Sequence, residues 1–386
     1  MTRQRNLLLL ASLLGAPSIA RAQRSAPEVE LRGTILFSGF HNSGRVNNAD
    51  VPTVALLGGV PGQGSLGATV RQTRFGVVVR HEAVLGGRLF GELEADFFGG
   101  QQPSGGGRTH PLLRIRRAYG EIRWTNGSLL VGQEVPPLFA VNPRSIASVG
   151  FPMFASAGNL WLWLPQIRAT GWLTGASGVR VGIEGTLLAP SAGEPVDPFL
   201  VQPDRAELTE RPGLEGRVLA RWQAGESVGE VGVGAHAGWS QDPSGKTVSS
   251  SAFGISWLVP LGRRLEIRGE YFRGRGLAGL GGGGIGQNFT TTGSLVRTKG
   301  GWIQGVVMPA KTVELALGYG TDDPEDRDLP ATVGRYRNRS VGASATWRVA
   351  PLVGGVEIRR LQTDYRLPGL TVAQSTHLNV GVGIEF

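Results

Sequence analysis

Charged side chains recur at every second position in several stretches of this chain. Glu92, Glu94 and Asp96 form one such ladder, and another runs through residues 264–270 with alternating sign. In a β-strand this spacing puts all members of a ladder on one face. At the middle of a bilayer each charge would cost about 2–4 kcal/mol, whereas a water-filled interior tolerates it. We therefore expect an interior lined by charges, and the candidates are Glu92, Glu94, Asp96, Arg180, Arg217, Arg221, Arg268 and Arg359.

Two uses of these charges are open. A wall that carries both signs creates a transverse field that orients ionic or dipolar solutes, and an arginine excess biases a channel toward anions. Alternatively, opposite charges on neighbouring strands brace the wall and leave no net field.

Patterns for enzymatic or cofactor chemistry are weak. The chain has no cysteine, which excludes disulfides, thiolate metal ligands and a cysteine nucleophile, and its five histidines lack paired metal spacing. Two Gly-x-Gly-x-x-Gly matches, at 62–67 and 279–284, do not open a predicted helix after a strand. We expect no cofactor, no metal and no enzymatic activity, with a barrel-embedded hydrolase as the alternative.

Alternation of apolar and polar residues predicts sixteen strands. They are 29–40, 71–81, 88–98, 112–124, 129–133, 166–173, 179–189, 213–223, 228–239, 248–259, 264–273, 298–308, 312–320, 335–347, 353–364 and 376–386. Long and short connections alternate, and the strand count is even, as in bacterial outer-membrane barrels. The expected fold is therefore all-β: a transmembrane antiparallel β-barrel with short periplasmic turns and long extracellular loops.

Two details refine this fold. In strand 112–124 the apolar parity changes between Ile115 and Ile122, which either a β-bulge or a lumen-exposed half of the strand would explain. Aromatic residues near strand ends, Trp302 and Tyr319 among them, fit girdles at the two lipid–water boundaries. The last strand alternates up to Phe386 at the carboxyl end, and resembles the terminal strand by which outer-membrane barrels are recognised for assembly.

The amino-terminal residues read as a secretory signal. Arg3 and Arg5 precede a short apolar run, and Ala20-Arg-Ala22 gives a small-residue cleavage site. We expect residues 1–22 to be removed and 23–386 to form a single barrel domain. The chain has a net charge of +9. Because the arginines fall on the interior parity, this excess favours anionic solutes as partners and not nucleic acid.

The connection at 134–165 is unusually apolar for an exposed loop. It contains Phe139, Phe154 and Trp161, while Arg144 is its only basic residue. An exposed patch of this kind would be a liability, so we expect the segment to fold inward or to lie at a subunit interface. Arg144 is accordingly a candidate for the charge at a constriction, with an ordinary loop arginine as the alternative.

Three stretches carry a family resemblance. They are 90–99 (FGELEADFFG), 113–121 (LRIRRAYGE) and 129–133 (LLVGQ). Together with the terminal strand, they resemble DcaP-like porins and, more distantly, are similar to phosphate-selective porins. The resemblance implies a homotrimeric channel in outer-membrane lipid for small anionic solutes, with Arg114, Arg116 and Arg117 in the lumen. The lysine ladder of phosphate-selective porins is missing, since the chain has only three lysines.

The sequence thus favours an outer-membrane porin, a passive diffusion channel for small hydrophilic solutes with an anion preference. A plugged structural or adhesive barrel is the non-enzymatic alternative.

Overall fold

The computed structural model describes residues 26–58, 63–100, 110–148, 150–174, 178–194, 202–330, 334–367 and 369–386. The predicted signal peptide, 1–22, lies outside these residues. The strands are β1 Glu28–Asn42, β2 Ser65–Thr69, β3 Arg74–Val84, β4 Gly87–Asp96, β5 Arg114–Trp124, β6 Gly127–Glu134, β7 Leu164–Thr174, β8 Val179–Leu188, β9 Gly213–Ala224, β10 Ser227–Gln241, β11 Thr247–Pro260, β12 Leu265–Arg275, β13 Arg297–Ala310, β14 Val313–Pro324, β15 Arg335–Val349, β16 Leu352–Leu367 and β17 Gly369–Glu385.

Antiparallel pairing joins these strands into one closed sheet. Consecutive strands pair from β3 through to β17, and β17 then pairs with β1 from Thr34↔Glu385 to Asn42↔His377. The other edge of β1 pairs with β3 in its first half and with β2 in its second half. Since β2 and β3 share one position beside β1, the barrel has sixteen positions, as predicted.

Outward and inward residues alternate along the wall. On β17, Leu378, Val380 and Val382 are exposed, whereas the neighbouring His377 and Asn379 are fully buried. The outer face is therefore apolar and the inner face polar, which confirms the predicted parity of this strand. Among the described residues, no helix is long and apolar enough to cross a bilayer.

Short turns gather at one end of the barrel, for example between β3 and β4, β5 and β6, β9 and β10, and β15 and β16. We call this the turn end. The opposite, loop end carries the long connections, including those between β4 and β5, β6 and β7, and β12 and β13.

Two sequence expectations are wrong, and a third, the bulge, is confirmed. The loop predicted between 364 and 376 is wrong, because β16 and β17 remain paired as far as Leu367↔Gly369. Trp302 is not in an aromatic girdle. It is 2% exposed and stacks on Phe154 inside the barrel. The predicted bulge in β5 is confirmed, since Glu94 pairs with Arg117 while Ala95 pairs with Ile115.

The seam between β1 and β17 gives a matched pair of tests. A Cβ on Gly383 would lie 2.2 Å from the Ile35 carbonyl oxygen, whereas one on Gly381 would meet nothing closer than 3.6 Å. We expect Gly383→Ala to destabilise the barrel by about 1–3 kcal/mol through overpacking, and Gly381→Ala to change stability by about 0.5 kcal/mol or less. Urea unfolding, followed by the shift in gel mobility between folded and unfolded barrel, measures both. Equal effects would contradict the seam packing described here.

Candidate functional site: a basic cavity at the turn end

A cavity of about 750 Å³ opens inside the barrel at the turn end. Its charged lining comprises six arginines and four glutamates: Arg88, Arg117, Arg123, Arg168, Arg180, Arg221, Glu82, Glu121, Glu134 and Glu184. The cavity is therefore polar with an excess of positive charge. A focused positive field of this kind raises the local concentration of anions.

The bulge in β5 accounts for the density of arginines along this strand. In a regular strand Arg116 and Arg117 would face opposite sides. Because Arg116 is the extra residue of the bulge, the parity shifts by one, and Arg114, Arg116 and Arg117 all face inward. Beyond the bulge, Tyr119 and Arg123 continue the inward row into the cavity.

Three arginines of the cavity, Arg88, Arg168 on β7 and Arg180 on β8, form no ion pair among the described residues, and Arg168 and Arg180 lie on adjacent strands. The guanidinium of Arg180 lies over the ring of Trp172 at 4.7 Å, and that of Arg221 also lies over this ring, at 4.9 Å. Flat guanidinium groups held on aromatic faces are fixed in position yet keep their charge.

The predicted residues farther up β4 and β5 form a paired cluster. Arg114 donates to Asp96 at 2.6 Å and to the Gly150 carbonyl at 2.7 Å. Arg116 lies within 3.4 Å of Glu94, and its guanidinium lies over Trp163. These arginines therefore brace the wall against the 134–165 segment.

Glu92 links that cluster to the cavity. It is 6% exposed, accepts a hydrogen bond from the Tyr119 hydroxyl at 3.0 Å and pairs with Arg32 and Arg117. Arg117 also approaches Glu134 at 3.2 Å. The negative charges of Glu92 and Glu134 are thus largely neutralised by arginines.

Three other predicted arginines are buried in ion pairs. Arg217 pairs with Glu230 at 2.6 Å and with Glu184 at 3.3 Å, and it also bonds Ser256. Arg359, only 1% exposed, pairs with Glu357 at 2.6 Å.

Arg268 pairs with Glu266 and donates to the Asn142 carbonyl at 2.7 Å. With Arg217 and Arg359, it fits the bracing use of charges that the sequence left open.

The 134–165 segment lies against the inner faces of several strands. Its backbone N–H groups at Leu138 and Leu160 donate to the buried carboxylates Glu215 (3.1 Å) and Glu270 (2.7 Å). Phe139 packs edge-to-face on Phe272. Carboxylates of the wall and apolar contacts thus hold the segment against the inner face of the barrel.

Arg144, the predicted constriction charge, does not line the cavity described above. Its guanidinium bonds Glu314 at 2.6 Å on β14 and Glu266 at 3.3 Å on β12, and Gln304 bonds its backbone on both sides. The structure places Arg144 as a tie between the segment and the far wall.

Sequence reasoning missed Arg88, Arg123 and Arg168. The signal was present for Arg168, because Gln166, Arg168 and Thr170 share the polar parity of β7 opposite Ile167 and Ala169. A single charge in a strand does not form a ladder, so the search for charge ladders did not identify Arg168. Within the described ranges no group of three potential metal ligands is found.

Bracing and cavity arginines should respond differently to substitution. Arg217→Met leaves the buried Glu184 without its arginine partner and the partly buried Glu230 with Arg221 alone, and we expect a loss of about 3–5 kcal/mol in unfolding free energy. Arg180→Met removes a side chain that lies over Trp172 and makes one exposed hydrogen bond to the Thr125 carbonyl at 3.4 Å, and it should cost no more than about 1 kcal/mol. Urea titration of both variants in one detergent is the measurement. A stable Arg217→Met protein would show that this arginine is not a structural brace.

Comparisons with known proteins agree on the fold. No protein-family model and no curated protein sequence matches the chain. Among solved structures, the outer membrane channel DcaP of Acinetobacter baumannii is similar with a TM-score of 0.71 and 16% identity, over 94% of this chain and 99% of that one. An anion-selective porin from Comamonas acidovorans gives 0.59 and 12%, over 94% and 100%. Salmonella typhi OmpF gives 0.52 and 12%, over 93% and 97%. The expected resemblance to DcaP-like porins is thus confirmed for the fold, a closed antiparallel barrel.

Proposed function

We propose that this protein is an outer-membrane porin, a passive diffusion channel for small hydrophilic solutes with a preference for anions. The observation that carries the proposal is the basic cavity, in which six arginines face four glutamates inside a barrel with an apolar outer face. A charged lumen with an arginine excess lowers the barrier for anions relative to cations. The compared structures, which are channels and porins by description, support the same role and a transport rather than a catalytic activity.

The proposal also covers how the chain is processed, where it is located and how it is oriented in the membrane. Residues 1–22 act as a cleaved signal, and 23–386 form one barrel domain in the bacterial outer membrane. The turn end then faces the periplasm and the loop end faces outward, as in other barrels of this class. We also propose a homotrimer, with small anionic or polar solutes as the transported partners.

The inward 134–165 segment would narrow the passage. It fills part of the interior with apolar side chains, including Leu138, Phe139 and Leu160, which pack with Phe272 and Leu277. This packing also favours a second candidate, a plugged structural barrel. Conductance in planar bilayers separates the two, because a plugged barrel folds normally yet passes no current.

Selectivity should depend on the unneutralised cations of the cavity. We expect Arg168→Gln combined with Arg180→Gln to lower the anion-to-cation permeability ratio toward unity, because both side chains face the cavity without a paired carboxylate. The reversal potential across a bilayer in a KCl gradient measures this ratio. Arg263→Gln combined with Lys311→Gln removes the same charge from exposed positions in the turns and serves as the control. If both double variants shift the potential equally, the cavity does not set the preference.

Arg144 has a separate, testable role in the passage. Arg144→Ala removes one cation and leaves Glu314 without its arginine partner, while Glu266 keeps Arg268. We expect a lower anion preference and noisier single-channel currents, because the segment loses its tie to β12 and β14. Unchanged selectivity and unchanged noise would show that Arg144 neither sets the anion preference nor holds the segment in place.

A further inference from the structure

Cations also occupy the outer face of the barrel near the loop end. The pairing register places Arg273, Lys299 and Asp323 side by side across β12 to β14 on the outward parity. Arg337 on β15 continues the row, and the next position, Asp364 on β16, pairs with Arg339 at 2.7 Å. Asp323 pairs with Lys299 at 3.4 Å and with Arg337 at 2.9 Å. Among the described residues, Arg273 has no carboxylate within 4.0 Å. This row therefore keeps an excess of positive charge.

A second tier of cations lies closer to the loops. Arg275 and Arg297 are the next outward pair along β12 and β13, and Arg327 lies beside them. They border a cavity of about 670 Å³ that hydroxyl groups also line, those of Thr247, Ser249, Thr290, Thr291, Thr292 and Ser294. Arg297 donates to Asp328 at 2.7 Å, and these hydrogen bonds hold the pKa of the Asp328 carboxyl below its usual range. Asp328 thus offsets one cation only.

An apolar groove of about 590 Å³ continues from the first tier down the outer wall. Tyr271, Ile303 and Tyr319 border it, and Gly301 lies on the outward parity between them. A Cβ at Gly301 would lie 2.6 Å from the Glu270 carbonyl oxygen, so the backbone packing keeps this position without a side chain. The cations and the groove share Lys299 and lie on adjacent rows of the same strands.

We propose that this outer surface binds a phosphorylated glycolipid of the surrounding leaflet. The arginines and Lys299 would bind its phosphates, the threonine and serine hydroxyls its sugars, and the groove an acyl chain. Cationic side chains at the headgroup level attract anionic lipid in this way. The inference rests on the proposed function, which puts the loop end in the outer leaflet.

Charge favours a lipid over a second copy of this chain as the occupant. Without residues 1–22, which contain three arginines and no acid, the net charge is 36 − 30 = +6, so another copy is a poorer electrostatic match for this surface than a phosphate-bearing lipid. Arginine forms bidentate bonds with phosphate, and free guanidinium groups such as Arg273 are suited to that geometry.

Native mass spectrometry of the full mature protein in mild detergent, with added bis-phosphorylated lipid A, tests the proposal. We expect the unmodified protein to retain lipid A. Arg273→Gln combined with Lys299→Gln should weaken retention roughly 30-fold, given the usual contribution of two basic residues near an anionic surface. The control, Arg263→Gln with Lys311→Gln, should retain lipid A as the unmodified protein does. Equal loss in both double variants would overturn the proposal.

A second arm does not depend on any variant. Lipid A stripped of its phosphates should bind the unmodified protein more weakly, and equal binding would overturn the role of the cations. A change in subunit number in the Arg273→Gln, Lys299→Gln protein without a change in lipid retention would instead assign the surface to contacts between copies. Bilayer conductance of the same samples separates this result from the proposed function, since loss of lipid binding should leave the current intact.

Discussion

Closure of the sheet is the constraint on which the other features of this barrel depend. Because β17 pairs with β1, every barrel position has hydrogen-bonded neighbours on both sides. A wall without free edges can expose apolar side chains to lipid without leaving backbone groups unpaired. It also creates an enclosed inner face, on which charged residues gather. The small residues at the seam follow from the same requirement, since Gly383 lies directly against the Ile35 carbonyl.

The inner face has two kinds of charge with different uses. Buried pairs such as Arg217 with Glu184 and Arg359 with Glu357 tie neighbouring strands or residues together. Other carboxylates, Glu215 among them, accept hydrogen bonds from the inward segment. What remains after this pairing is an excess of arginine in the turn-end cavity. A net field therefore arises from the few cations that structural pairing leaves unneutralised, and not from the total number of charges.

Much of this fold could be predicted from alternation alone, because the two faces of each strand meet different surroundings. The alternation of apolar and polar residues is lost in the first half of β17. Gln374 and Thr376 face outward and Ser375 faces inward, so both faces are polar there. The start of this strand could therefore not be predicted. Pairing partners could not be predicted either. The two acids bound to Arg144 are 122 and 170 residues away in the chain, and only the closed register brings them together.

Spin labelling along β7 tests most directly whether apolar side chains face lipid while their charged neighbours face water. The chain has no cysteine, so single substitutions Ile167→Cys, Arg168→Cys, Ala169→Cys and Thr170→Cys can each carry one label. In reconstituted vesicles, power saturation should show high oxygen accessibility at 167 and 169. Accessibility to a water-soluble nickel complex should be high at 168 and 170. The same accessibility at all four positions, or the reverse alternation, would contradict the account.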